Sequence, residues 1–206
     1  MPTELERIRA LQSGDVDVVA GLSISATQEL WADRNAALLQ IPAREVKVLA
    51  FNHARPPFDD LRVRQAICYG IDRGALIDAV WAGVAVPAGG EFSPGEPYYT
   101  DLTAYYPRDT VRARALLSEA GYPQGLDVAI TVPVDSEYMR LAEALVPQLD
   151  EVGVRLEIIP VDWTIFLNQV YFGREFALTL MTHKGKADPL AALGRYRSDS
   201  LWNYLN

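Results

Sequence analysis

Two histidines and one cysteine are the side chains in this sequence of 206 residues that most readily bind a metal or attack a substrate. His53 and His183 are far apart, and neither has a carboxylate or a thiol at the spacing of a metal site. Both are interpreted as polar histidines in a loop or at a strand end. Cys68 falls beside the apolar stripe of a predicted helix, which favours a small buried residue over a reactive thiolate. We therefore expect no metal and no cofactor.

The short motifs of common catalytic and phosphate-binding sites are also missing from the sequence. It contains no G-x-S-x-G, no S-x-x-K and neither of the glycine-rich phosphate-binding patterns. The carboxylate pairs at positions 59–60 and 150–151 fall at predicted helix ends, where capping and solvation account for them. Without a nucleophile paired to a base, we expect a protein that is not an enzyme. An enzyme is the least favoured alternative.

The charge balance excludes several classes of partner. The formal net charge is −8, and no basic block occurs, which argues against binding to nucleic acid or to anionic membranes. Half of the residues are hydrophobic, as in a folded domain with a core. The lone cysteine excludes an internal disulfide. The first residues lack the apolar core of a signal peptide, and this observation by itself indicates a cytoplasmic protein. The last residues, "RYRSDSLWNYLN", instead favour a piece of a longer protein.

The elements that must position any site follow from hydrophobic period and from capping residues. A helix followed by a strand is predicted for "ELERIRALQSGDVDVVAGL", a short helix for "TQELWA" and a strand for "REVKVLAFN". Two prolines then end the strand. Asp59 and Asp60 are expected to supply the cap of the next helix, and Asp72 the cap of the helix after it. Residues 84–107 are rich in Pro, Gly and Tyr and predict a long ordered loop. Asp109 is expected to cap a third helix.

The last third of the chain alternates strands and helices. Strands are predicted for "LDVAITV", "VRLEIIPV" and "FALTLMTH", and the helices between them start after the expected caps Ser136 and Asp162. A strand, a crossover helix and a second strand make a parallel, right-handed βαβ unit. Pro147 lies inside the first of these helices, where it removes a hydrogen bond and is expected to kink the helix.

With these elements in place, "FNHARPPFDDLRVRQAICYGIDR" (residues 51–73) closely resembles a signature of the oligopeptide/dipeptide family of ABC-transporter solute-binding proteins. Members of that family have a strand ending in F-N, a short turn, P-F-D-D, V-R-Q-A-I and I-D-R. Further stretches resemble the family in the same order along the chain. They are "LQSGDVDVVAGL", "ARALLSEAGYP", "LVPQLDEVGVRLEIIPVDWTIFLNQVYFGREFALTLM" and "KADPLAAL". Together they cover nearly the whole sequence.

The resemblance implies a fold, a location and partners. Family members clamp a solute between two α/β lobes, outside the membrane or in the periplasm, and deliver it to a permease. This chain resembles the C-terminal lobe, so residues 1–206 are expected to form one periplasmic-binding-protein-like α/β lobe with a mixed, mostly parallel sheet flanked by helices. The implied partners are the N-terminal lobe of the same protein, the membrane subunits of an ABC permease, and a small solute: a peptide, an opine-like compound or another polar molecule.

The resemblance also implies where the solute binds. In an α/β sheet, ligands meet the loops that follow the strand ends. Here these loops carry the expected ligand-binding residues Asp135, Ser136, Tyr138, His183, Lys184, Lys186 and Asp188.

One departure from the family pattern bears on the solute. In peptide-binding members, a tryptophan and an aspartate of the second loop hold the amino terminus of the peptide. Counted back from Asp188, these positions fall on Thr182 and Gly185, and neither residue matches. Because Lys184 and Lys186 would also repel an ammonium group, the departure favours an anionic or neutral solute, or a peptide held mainly by the other lobe. The alternative function is a standalone ligand-sensing or regulatory domain with the same fold.

Overall fold

The computed structural model describes residues 3–31, 33, 35–39, 43–186, 188–200 and 203–204. The chain divides into two compact units, Met1–Pro42 and Ala43–Asn206. The expectation of one lobe over residues 1–206 therefore stays a prediction, and each unit is described by itself.

The first unit contains two helices, α1 (Glu4–Ser13) and α2 (Ile24–Leu30). Thr3 and Glu6 form a capping box at the start of α1, and Gly14 ends it at a φ of 81°. The strand predicted for residues 15–22 is wrong, since these residues form no strand and most of them are exposed. A strand needs a neighbour for its backbone N–H and C=O groups, and no described residue pairs with this segment.

The second unit is built on a four-stranded sheet. Its strands are β1 (Glu45–Phe51), β2 (Leu126–Pro133), β3 (Val154–Val161) and β4 (Leu178–Lys184), in the order β1-β4-β2-β3. β2 is parallel to both β3 and β4, whereas β1 is antiparallel to β4. The predicted α/β fold with a mixed, mostly parallel sheet is thus confirmed, as is the parallel pairing of β2 and β3 across the intervening helix.

Helices cover one face of this sheet. They are α3 (Leu61–Gly70), α4 (Arg73–Trp81), α5 (Thr110–Glu119) and α6 (Ser136–Glu151). Asp60, Asp72 and Asp109 cap the first three as predicted, because each carboxylate accepts a backbone N–H two or three residues on. Helix α6 runs through Pro147 without interruption. The main core lies between these helices and the sheet and contains Val63, Ile67, Ile130, Val132, Leu145, Leu149 and Leu178.

The other face carries a second, smaller core of Ala50, Phe166, Val170, Phe176 and Tyr204. Helix α7 supplies two of these residues; it begins with an α-helical turn, Trp163–Ile165, and continues as a π-helix, Phe166–Phe172. After β4 come the short helix α8 (Pro189–Leu193) and a 3₁₀ turn, Gly194–Tyr196. Among the described residues, no helix has the length and apolar character needed to cross a membrane.

The F-N pair of the sequence signature has a structural role. Asn52 is fully buried and follows the last residue of β1. Its Nδ2 donates hydrogen bonds to the carbonyl oxygens of Arg174 and Phe176 at 2.9 and 3.0 Å, and its Oδ1 accepts one from Ala54 N at 3.2 Å. Asn52 therefore joins the end of β1 to the segment that leads into β4.

Candidate functional site

The predicted ligand-binding residues lie at one edge of the sheet. The parallel strands β2 and β4 end there, at Pro133 and Lys184. Residues 134–138 lead from β2 into α6, and residues 185–188 lead from β4 into α8. This is the edge at which α/β sheets bind their ligands.

Asp135, and not Ser136, caps helix α6. The backbone of Asp135 is extended, and its Oδ1 accepts a hydrogen bond from Glu137 N at 2.9 Å. The prediction of Ser136 as the cap is wrong, because Ser136 is already the first helical residue while the aspartate before it has the extended backbone that a capping residue needs. The side chain of Ser136 lies outside the described part of the structure. Asp135 itself is exposed at the sheet edge.

A group of polar side chains, here called the lysine cluster, connects this edge to the helices. It comprises Lys47, Trp81, Glu137, Tyr138 and Thr182. The Nζ atom of Lys47 lies 2.6 Å from Glu137 Oε2 and donates to Thr182 Oγ1 at 2.8 Å. Trp81 Nε1 donates to Glu137 Oε1 at 2.7 Å, and the hydroxyl oxygens of Tyr138 and Thr182 are 2.6 Å apart. Of the predicted site residues, the cluster thus includes Tyr138.

The register of the sheet explains why these side chains meet. Lys47 and Thr182 face each other in the antiparallel pair of β1 and β4, so they share one face of the sheet. Lys47 is not among the residues predicted from the sequence, although its position in the strand carries a signal. Lys47 alternates with Val46 and Val48 and therefore shares the face of Leu49 and Phe51, which pack on the main core. A lysine on a sheet face that packs on the core needs an acidic partner, and Glu137 is that partner.

His183 belongs to a second group on the opposite face, the histidine cluster of Glu91, His183, Arg195, Tyr196 and Tyr204. His183 Nδ1 lies 2.7 Å from Glu91 Oε2, and its Nε2 lies 2.5 Å from the Tyr204 hydroxyl. Because a carboxylate accepts only, Nδ1 carries the proton. Tyr196 donates to Glu91 Oε2 at 2.6 Å, and Arg195 Nε is 3.3 Å from Glu91 Oε1. The side chain of His183 is 3% exposed.

The electrostatics of the histidine cluster are those of a buried structural network. Burial is the largest influence on the pKa of Glu91 and raises it, but hydrogen bonds from His183 and Tyr196 and the charge of Arg195 bring the net pKa below its usual value. Burial also raises the pKa of Tyr196 and of Tyr204. Both ring nitrogens of His183 are engaged within the protein, by Glu91 and by Tyr204.

In this cluster a carboxylate, a histidine and a hydroxyl are hydrogen-bonded in the same order as in a hydrolase triad. The hydroxyl belongs to Tyr204, which is 2% exposed and packs in the second core. A nucleophile must reach its substrate, and this oxygen is enclosed. The cluster joins the 84–107 loop, the end of β4 and the last part of the chain.

Three predicted residues lie at the end of β4 and in the loop after it. The Lys184 side chain is 79% exposed, and its Nζ lies 3.6 Å from Glu45. Lys186 Nζ donates to the carbonyl oxygen of Ala191 at 3.2 Å. Asp188 caps helix α8 by accepting a hydrogen bond from Leu190 N at 2.9 Å. All three residues are exposed.

Position 185 in the loop after β4 favours glycine for a steric reason. A Cβ atom placed on it would come within 2.7 Å of Glu96 Oε1 and 2.9 Å of Arg44 Cβ. Glu96 is held in place by Arg44 at 2.9 Å and by the hydroxyl of Ser93 at 2.6 Å. The acidic residue expected at this position in peptide-binding relatives would not fit the backbone seen here.

A depression of the described surface lies elsewhere. It measures about 290 Å³ and sits at the amino-terminal end of β2 and β3, between Arg114, Tyr122 and Gly153. That volume is at the lower limit for small-molecule pockets, and the depression is open. The sheet edge with the two clusters carries more convergent polar chemistry than this depression.

Comparison with known proteins finds relatives over nearly the whole chain. The model of the family described as "Bacterial extracellular solute-binding proteins, family 5 Middle" matches residues 1–203. Heme-binding protein A of Haemophilus influenzae is 30% identical over 168 residues, which are 79% of this chain and 31% of that protein. The dipeptide-binding protein of Escherichia coli is 28% identical over 193 residues, which are 91% of this chain and 36% of that protein.

A solved structure gives the same result in three dimensions. The crystal structure of a dipeptide-binding protein from Pseudoalteromonas sp. SM9913 in complex with Met-Leu superposes with a TM-score of 0.76 at 26% identity. The match covers 93% of this chain and 39% of that one. The chain spans about a third of the length of the curated relatives it matches.

Proposed function

Because the chain belongs to the bacterial extracellular solute-binding proteins of family 5, we propose that it is part of the solute-binding component of an ABC importer. In this role it captures a peptide or a peptide-like small solute and presents it to a membrane permease. The family match over residues 1–203 carries the proposal. The relatives are binding proteins by name, which is in keeping with a function in binding and not in catalysis.

The solute contacts the sheet edge where β2 and β4 end. Asp135, Ser136 and Tyr138 form one side of this surface, and His183, Lys184, Lys186 and Asp188 form the other. Two observations support this assignment: the edge is the one at which parallel strands end, and several of these side chains are exposed.

The solute is one that needs no acidic anchor on the loop after β4. The tight backbone at Gly185 leaves no space for an aspartate, and Thr182 is engaged with Lys47 and Tyr138. A peptide whose amine is held elsewhere, an opine-like compound and another polar molecule all meet this condition. Relatives named for heme and for dipeptides indicate how widely solutes vary within the family.

The remaining partners follow from the same proposal. An N-terminal lobe of the same protein closes over the solute, and the permease subunits of the importer receive it. The location is the periplasm or the cell exterior, with membrane association through the transporter. The family's description as extracellular supports this placement.

A thermal-shift screen against dipeptides, opines, sugars and metal chelates tests the function. A true ligand at 100-fold its Kd stabilises a protein by about 2.7 kcal/mol. For a chain of this size, that is a rise in Tm of roughly 5–10 °C. Tyr138→Phe should weaken the response to a ligand so identified, whereas Tyr105→Phe, in the exposed loop, should not. A flat response to every class of solute would contradict the proposal.

A further inference from the structure

The lysine cluster contains more hydrogen-bond donors than its own acceptors use. The ammonium group of Lys47 has three hydrogens, and among the described residues it donates to Glu137 Oε2 and Thr182 Oγ1. One N–H is therefore left without an acceptor from this part of the chain. The Tyr138–Thr182 pair has two hydroxyl hydrogens, and their mutual bond uses one of them. A second donor is left over whichever hydroxyl donates.

These donors are held in position and remain accessible. The side chains of Lys47 and Glu137 are 21% and 33% exposed, and Tyr138 and Thr182 are partly exposed. The Lys47 ammonium lies 4.9 Å from the ring centroid of Tyr138, within the range of a cation–π contact. Because three contacts already fix the ammonium, little entropy is lost in ordering it when a solute oxygen binds.

The cluster offers these donors without a net charge. Lys47 is neutralised by Glu137 at 2.6 Å, and Lys184, the next lysine on this face of the sheet, lies 3.6 Å from Glu45. Trp81 occupies the second oxygen of Glu137. A carboxylate that approached Lys47 would meet the like charge of Glu137, whereas a neutral oxygen would not.

We propose that Lys47, Tyr138 and Thr182 form a subsite that binds a neutral acceptor oxygen of the solute, such as an amide carbonyl, in preference to a carboxylate. The proposal rests on the proposed function and deepens it, since it adds Lys47 and Thr182 to the solute surface and states what chemical group they select. The two lysines of this sheet face then select for hydrogen-bonding capacity and not for negative charge.

The test uses acetamide and acetate, which have nearly the same shape and differ in charge. Each is titrated into the 15N-labelled chain while the indole N–H resonance of Trp81, which contacts Glu137, is followed by NMR. Acetamide should shift this resonance in a saturable way, with an affinity of about millimolar or weaker for so small a probe. Acetate should bind at least about fivefold more weakly because of Glu137.

Variants separate the contributions. Lys47→Met and Thr182→Val should each weaken acetamide binding by about tenfold, the effect of one hydrogen bond. Arg140→Met, a change at an exposed cation of α6 outside the cluster, should have no effect. Glu137→Gln removes the repulsion, and the preference should then reverse in favour of acetate.

Each other outcome overturns the inference. No saturable shift with either probe, or acetamide binding that survives Lys47→Met, excludes the subsite. Acetate binding as tightly as acetamide in the unchanged chain excludes the preference for a neutral group. A negative result here, together with a positive thermal-shift screen, leaves the solute-binding function intact and removes only the subsite.

Discussion

Replacing Asn52 should destabilise the second unit severely, because this side chain is fully buried and hydrogen-bonded. In Asn52→Ala, the carbonyl oxygens of Arg174 and Phe176 and the N–H of Ala54 each lose a hydrogen-bond partner. Losing partners at a buried position costs about 1–3 kcal/mol for each group left unsatisfied. Since water can reach part of the exposed turn at Ala54, we expect a total loss of about 2–4 kcal/mol.

Urea unfolding followed by circular dichroism measures this loss. With an m-value of about 2 kcal/mol/M, the midpoint should fall by roughly 1–2 M. Asn52→Asp should be at least as damaging, because it is nearly isosteric but turns an acceptor toward two carbonyl oxygens. Asn168→Ala is the matched control, since Asn168 is exposed on α7, and its free energy of unfolding should stay within about 0.5 kcal/mol of that of the unchanged chain. If Asn52→Ala unfolds like Asn168→Ala, the structural role assigned to the F-N pair is wrong.

Two further predictions concern the loop after β4 and the histidine cluster. Gly185→Asp, which restores the acidic residue of peptide-binding relatives, should destabilise the chain by about 1–3 kcal/mol because its Cβ meets Glu96, and it should confer no added affinity for peptides with a free amine in calorimetry. Glu91→Gln tests the histidine cluster. The pKa of Glu91 is lowered in the folded chain from the reference value of 4.5, so its stabilising contribution is present above that pH and is lost as the pH falls through the folded pKa. The difference in urea midpoint between the variant and the unchanged chain should therefore shrink from roughly pH 5 to pH 3, and a difference that is constant with pH would contradict the assignment.

Local signals predicted most helices and strands of the second unit correctly. The caps Asp60, Asp72 and Asp109 act within three residues of their own position, so local sequence suffices to identify them. The strand predicted for residues 15–22 is wrong because strand formation does not depend on local sequence alone. Whether a segment becomes a strand depends on a neighbouring strand, which a local pattern does not reveal. At α6, two adjacent residues were both suitable caps, and only the backbone conformation distinguished them.

The site shows the same division between local and distant information. The sequence by itself determined the family, the α/β alternation and the two loops where a solute is expected, because these depend on motifs that are continuous along the chain. Only the tertiary structure placed Lys47 against Glu137, which is 90 residues away, and His183 against Glu91, which is 92 residues away. Two adjacent residues of β4, Thr182 and His183, enter different clusters because successive side chains of a strand point to opposite faces. Charge and hydrogen-bonding capacity at the sheet edge thus arise from pairings across the fold, which a linear pattern of residues does not encode.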